Sequence, residues 1–212
     1  VNASFYRFPT SNMIKAWNRR LRPGFHLVVK GHRRITHQSK LVDCESSVSG
    51  FLERVGQLER LRLVLWQLPP SLGRDDERLD AFLGSLLEIA RSQGLDPRRV
   101  RHAVEFRDES WWCGEVAQLL EAHDVCFVAV SHPELPKAIH PTTDLLYLRF
   151  HGEGGQLYDY DYSDRELREW AERVFPHLEG RTMYAFFNND FQANAPRNAE
   201  RFRELLGGAR PG

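Results

Sequence analysis

The stretch "RHAVEFRDESWW", residues 101–112, decides how the chain is read. A short apolar run, RHAVEF, ends directly in Glu105, Arg107 and Asp108 and is followed by a tryptophan pair, Trp111 and Trp112. Continuous apolar runs of this length suit strands buried on both faces, as in parallel sheets. Charges at the end of such a strand carry a desolvation cost unless partners converge on them. Parallel strands of an α/β fold deliver their C-terminal ends to one rim, so residues 105–107 read as one rim position among several.

Outward from this stretch, the pattern repeats. Seven β-like runs are VNASFY (1–6), HLVVKG (26–31), LRLVLWQL (61–68), RHAVEF (101–106), VCFVAV (125–130), LLYLRF (145–150) and MYAFF (183–187). Helical stripes lie between them. Leu79, Phe82, Leu83, Leu86, Leu87 and Ala90 follow helical spacing, as do Leu167, Trp170, Ala171, Val174 and Phe175. Ser163 with Glu166 forms a capping box, and Asn194 with Pro196 suits the start of a last helix running to Gly207-Gly208. Alternating strands and helices demand a parallel sheet with right-handed crossovers. The expected fold is therefore α/β, a TIM-like (β/α) barrel in one domain over residues 1–212. Its first β/α unit is expected to be absent, because the chain starts at Val1 already inside a strand-like run. An open doubly wound sheet is the alternative. Pro133, Pro136 and Pro141 leave little room for a helix between 131 and 143, so that link is expected to be irregular.

Composition narrows the function classes. Lys+Arg and Asp+Glu are both 29, for a formal net charge of zero, so no bulk field marks a nucleic-acid or membrane partner. Lys occupies only positions 15, 30, 40 and 137, and the remaining basic residues are Arg. Cys44, Cys113 and Cys126 show no CxxC pair, which argues against a disulfide framework or zinc knuckle and fits a reducing cytoplasm. No apolar stretch approaches the roughly 20 residues that span a bilayer.

Side chains alternate at period two along a strand. Lys30 with His32, Glu105 with Arg107, Arg149 with His151, and Asn188 with Asp190 therefore form same-side polar pairs at strand ends, joined by Asn2, Ser4, Tyr6, Gln67, Ser131 and His132. Glu105, His151 and Asp190 are the candidate catalytic groups, exchanging protons or orienting the substrate. Tyr6, Lys30, Gln67, Arg107, Arg149 and Asn188 are the candidate substrate-binding groups, the cations suiting phosphate or carboxylate. Trp111 and Trp112 are expected to pack. His32, Glu105, His151 and Asp190 are acceptable metal ligands but come from separate strands without tight spacing, so no cofactor is expected, a divalent metal being the lesser alternative. No Walker, Rossmann or GxSxG motif is present. GEGG (152–155) reads as a rim loop, with phosphate cradling as its sharper alternative.

The motifs "ASFYRFP", "RPGFHLVVK" with "ITH", "QLPPSL" before "ERLDAFL", "VEFRDESWW", "YLRFHG", "YDYDYSDRELREWAERV" and "FFNNDFQANAPRNAERFREL" together resemble the domain-of-unknown-function 72 family, also called YecE-like, over nearly all of the chain. The resemblance implies a TIM-barrel-like fold and assigns no activity. It marks Ser4, Phe5, Tyr6, Lys30, His37, Gln67, Pro69, Pro70, Glu105, Arg107, Trp111, Tyr147, Arg149, His151, Gly152, Asn188, Asn189 and Asp190 as positions carrying the family pattern. Against the resemblance, the family's opening strand and helix are expected to be absent here, and the stretch Gly31-His32-Arg33-Arg34 departs from it.

The first expectation is an enzyme acting on a small anionic or phosphorylated substrate, with hydrolysis favoured by fold-level analogy. The second is a nucleic-acid-binding module using RRLR (19–22), HRRITH (32–37) and RRVRH (98–102). The third is a scaffold whose rim network is structural. No membrane partner is expected, and the residues do not decide an oligomeric state.

Overall fold

The computed structural model describes residues 2–154 and 159–207. Val1 of the first β-like run, Gly155 of the GEGG segment and Gly208 at the expected end of the last helix lie outside them. The chain is α/β and divides into two compact units, residues 1–125 and 126–212.

In the first unit, β1 (Leu27–Lys30), β2 (Leu61–Gln67) and β3 (Arg101–Glu105) are parallel and pair in that order. Helices α1 (Ala3–Tyr6), α2 (Ser11–Arg20), α3 (Glu45–Val55), α4 (Asp76–Ser92) and α5 (Gly114–Ala122) accompany them. Sequence explains α4 directly: the Asp75 carboxylate accepts from the Arg78 backbone N–H at 3.0 Å, and Leu79, Phe82, Leu83, Leu86 and Ala90 are all buried on one stripe. Trp66 of β2 anchors the core, fully buried and set edge-on to Phe51 of α3 and Phe82 of α4. A Cβ on Gly31 would come 2.4 Å from the Trp66 ring, so only glycine lets the chain leave β1 there. The Trp66 indole N–H donates to Nδ1 of buried His102 at 3.2 Å. Burial lowers the His102 pKa to about 4, so the ring is neutral and accepts that bond.

In the second unit, β4 (Cys126–Ser131), β5 (Leu145–Phe150) and β6 (Thr182–Phe187) are parallel in that order, with α6 (Asp164–Val174) and α7 (Asn194–Leu205) packed on one face. Phe150 is the hub: it stacks on Phe187 with centroids 4.2 Å apart and meets Tyr162, Trp170 and Phe202 edge-on. The capping box of Ser163 and Glu166 opens α6 as the sequence expects. The proline-containing link between β4 and β5 holds no helix or strand.

Two expectations are corrected. Residues 2–6 do not give a strand; Ala3–Tyr6 is a single helical turn whose Ser4 hydroxyl donates to the Lys30 carbonyl at 2.8 Å. A six-residue apolar run does not distinguish helix from strand, and here a side-chain bond to the end of β1 decides it. The described residues therefore supply six strands, three in each unit, rather than the seven expected.

Candidate functional site

Register places the polar groups of the first unit on one face. Lys30 is level with Leu65 of β2, and Gln67 lies two residues on, level with Glu105 of β3. Partners in register point the same way and alternate residues share a side, so Lys30, Gln67 and Glu105 emerge together at the C-terminal ends, opposite the face on which Trp66 meets the helices.

Glu105 is fully buried, and its Oε1 accepts from Arg107 Nε at 2.5 Å. The pairing answers the cost raised by the opening stretch: a carboxylate without water is held by a charge-assisted bond two residues away. Arg107 keeps 16% side-chain exposure. Trp111 packs as expected, stacked on Phe106 and donating to the Leu72 carbonyl at 2.7 Å.

Around Lys30 the chain adds groups that parity does not reach. Lys30 Nζ lies 3.9 Å over the ring of Phe5, and the same ring is edge-on to His37 with centroids 4.9 Å apart. His37 sits on a π-helical turn, Arg34–Gln38, and its Nδ1 forms a 2.8 Å hydrogen bond with the hydroxyl of buried Thr36. Burial first, then the charges of Lys30, Arg33 and Arg107, lower the His37 pKa. Tyr6 is 68% exposed, edge-on to Phe5, while Gln67 donates only a long bond, 3.4 Å, to the Leu68 carbonyl.

His32 departs from the parity expectation. β1 ends at Lys30, and the His32 ring packs on Phe8 at 4.5 Å, which in turn meets Phe51 of α3. Once the strand ends, period two no longer governs direction.

In the second unit, Arg149 is level with Val130 and Phe186, and Phe150 with Ser131 and Phe187. Phe150 faces the helices, so Arg149 points the other way. Asn188 joins Arg149 to His151: its Oδ1 accepts from Arg149 at 3.3 Å, and its Nδ2 lies 3.4 Å from His151 Nδ1. An amide nitrogen only donates, so this arrangement makes Nδ1 the acceptor and leaves the proton of a neutral ring on Nε2. Arg149 and His151 are nearly buried, at 6% and 3% exposure. The His132 ring stands 6.5 Å from that of His151. Asp190 is exposed and already in helical backbone, so it does not continue the alternation from Asn188.

Sequence reasoning did not assemble the group on the helix side of β4. Ser131 Oγ donates to Glu153 Oε1 at 2.5 Å and lies 2.7 Å from the Tyr162 hydroxyl, which accepts from the Gly152 N–H at 2.7 Å. Lys137 closes it with a 2.7 Å ion pair to Glu153. These bonds pin residues 152–153, just past β5, where Gly152 takes φ +105°. Tyr162 lies outside any strand, so no periodicity pointed to it.

Among the described residues, no group of three or more His, Cys, Asp and Glu side chains is arranged to hold a metal ion, and no helix is long and apolar enough to cross a membrane.

Parallel strands joined by helices, with polar side chains gathered at strand ends, define the chain as an α/β protein of the βα-repeat kind. It belongs to the family described as "Protein of unknown function DUF72", whose model matches residues 1–211. The chain is similar to the crystal structure of a DUF72 family protein from Thermotoga maritima, with 30% identity, TM-score 0.75, and coverage of 95% of this chain and 81% of that one. A DUF72 family protein from Enterococcus faecalis shares the fold at 21% identity and TM-score 0.80, covering 96% of this chain and 82% of that one. No curated protein matches the chain.

Proposed function

We propose that the chain is an enzyme acting on a small anionic, phosphate-bearing molecule, with hydrolysis as its reaction. The observation that carries this reading is the pair of cations at the strand ends of the first unit, Lys30 at the end of β1 and Arg107 just beyond β3, with Lys30 set over the same Phe5 ring that His37 meets. Lysine and arginine side chains held at partly buried strand ends suit a phosphate or carboxylate ligand. Lys30 and Arg107 are assigned to anion binding, Gln67 and Tyr6 to the polar periphery, and Glu105 to proton exchange or to holding Arg107. In the second unit Arg149 and Asn188 are assigned to substrate binding, His151 to proton transfer through Nε2 and Asp190 to orientation. The reading takes the strands to belong to the TIM-like (β/α) barrel implied by the family resemblance, whose C-terminal rim carries chemistry.

A thermal-shift panel of sugar phosphates, nucleotides and short oligonucleotides tests it on wild type, Lys30→Gln and Arg149→Gln. A ligand at a hundred times its dissociation constant adds about 2.7 kcal/mol of stability. One ligand class should shift the wild type and lose its effect in Lys30→Gln; no shift for any anion contradicts the reading. Arg33 and Arg34, both exposed on the turn beside Lys30, favour nucleic-acid binding as a second reading. That alternative predicts oligonucleotide binding that falls steeply with salt.

A further inference from the structure

We propose that His37 is a proton-coupled ligand of the first unit's anion site, so that the site takes up a proton as it binds a tetrahedral dianion of the sulfate or phosphate-monoester type. This inference rests on the anion reading above and adds a group that the strand alternation did not select.

The geometry is specific. His37 and Lys30 share the Phe5 ring, Lys30 over its face at 3.9 Å and the His37 ring edge-on with centroids 4.9 Å apart. Phe5 is itself buried, so both groups are positioned by a fixed apolar wall. Thr36, also buried, ties down Nδ1 at 2.8 Å, which fixes the orientation of the other ring nitrogen, Nε2. A neutral imidazole already oriented among cations is one protonation away from acting as a further cation.

The charged groups acting on His37 are Lys30 at the end of β1, Arg33 just before the π-helical turn and Arg107 beyond β3, while α1 contributes the aromatic ring of Phe5 with Tyr6 beyond it. All three charges are positive and, with burial, keep the unliganded ring neutral near neutral pH. A bound dianion reverses the sign of the local field. With Nδ1–H donating to the Thr36 hydroxyl, Nε2 is the bare nitrogen of the neutral ring; the imidazole then accepts one proton from solvent there and donates it as a hydrogen bond to the ligand, with no bond broken in the ligand itself. Linkage requires the reciprocal effect: affinity for the dianion rises as pH falls through the range in which the liganded ring is protonated and the free ring is not.

The probe is inorganic sulfate, which does not titrate in this range, so any proton taken up belongs to the protein. Titration calorimetry of the intact chain at pH 6 in buffers of different ionisation heat should show net uptake, at most one proton per sulfate. Affinity should rise by up to about tenfold per pH unit on acidification. In His37→Gln both the uptake and the rise in affinity should vanish, whereas His32→Gln should keep them. Histidine NMR on wild type gives a readout that needs no variant: the His37 pKa should move up when sulfate is added. Sulfate binding without uptake, uptake that survives in His37→Gln, or an unmoved His37 pKa overturns the role of His37 while leaving the anion site standing. No sulfate binding to wild type at any pH overturns the anion reading and this inference together.

Discussion

The two units finish their strands in different chemical currencies. At the ends of β1–β3 the groups are ionic: a fully buried carboxylate held by Arg107 at 2.5 Å, with Lys30 and Arg33 acting on a half-buried imidazole. At the ends of β4–β6 one guanidinium, Arg149, is joined to His151 through the neutral amide of Asn188, and behind it the hydroxyls of Ser131 and Tyr162, with the Glu153 carboxylate paired to Lys137, secure residues 152–153. A charged arrangement is bistable: it collapses or reorganises when one partner or one counter-ion is lost. A network carried mainly by hydroxyls and an amide loses hydrogen bonds one at a time. The first unit's end is therefore suited to sensing a ligand's charge, and the second's to holding an imidazole and a backbone segment in place.

The largest effect is expected in the aromatic core of the second unit. Phe150→Ala, at the aromatic hub of the second unit, should cost about 3–5 kcal/mol in denaturant unfolding, the range for buried aromatic truncation. That sets the scale for pure packing. Glu105→Leu should come next, near about 3 kcal/mol, because it strands Arg107 without its buried counter-charge while the slight exposure of Arg107 relieves part of the cost. The double variant Glu105→Leu, Arg107→Met should recover most of that loss. A pair that behaved additively would show that the ionic character assigned to this end is wrong.

His102 gives a comparably sized effect that appears only in acid. Its folded pKa of about 4 lies below the ordinary value of 6.5, so between those pH values the unfolded chain binds a proton that the native ring refuses. Stability should fall as pH drops from about 6.5 to about 4, by about 3 kcal/mol from this group. His102→Gln, which keeps an acceptor for Trp66, should flatten the slope; the residue left reflects His32, His37 and His140, all shifted the same way. Smallest is Tyr162→Phe, expected to cost about 1–2 kcal/mol through the lost bonds to Ser131 and Gly152. If Tyr162→Phe cost as much as Glu105→Leu, the contrast between an end held by a buried ion pair and one held mainly by hydroxyl and amide hydrogen bonds would fail.

Much of this was legible in the residues. Short apolar runs located all six strands to within two residues at either end, and helical spacing located α4 and α6. Period two put Glu105 beside Arg107, and Arg149 and His151 on the face where Asn188 joins them. What escaped lay where no period operates. His32 and Asp190 follow the last strand residue, where alternation no longer governs: the His32 ring packs on Phe8, and Asp190 has helical backbone. His37, marked by the family resemblance but not by alternation, stands on a π-helical turn and Glu153 on a loop, and both are brought to their partners by tertiary contacts that a linear pattern does not encode. The first six residues misled because a short apolar run is equally consistent with a helical turn, and the bond from Ser4 to the end of β1 is a long-range fact.

The central claim, that the strand ends of the first unit hold a tetrahedral anion, is tested most directly by crystals of the protein soaked in tungstate, a phosphate mimic located by its anomalous scattering. The account predicts an anomalous peak within hydrogen-bond reach of Lys30 Nζ and the Arg107 guanidinium, absent from Lys30→Gln crystals grown and soaked alike. Tungstate bound elsewhere on the chain with this position empty, or a peak undiminished in Lys30→Gln, would contradict it.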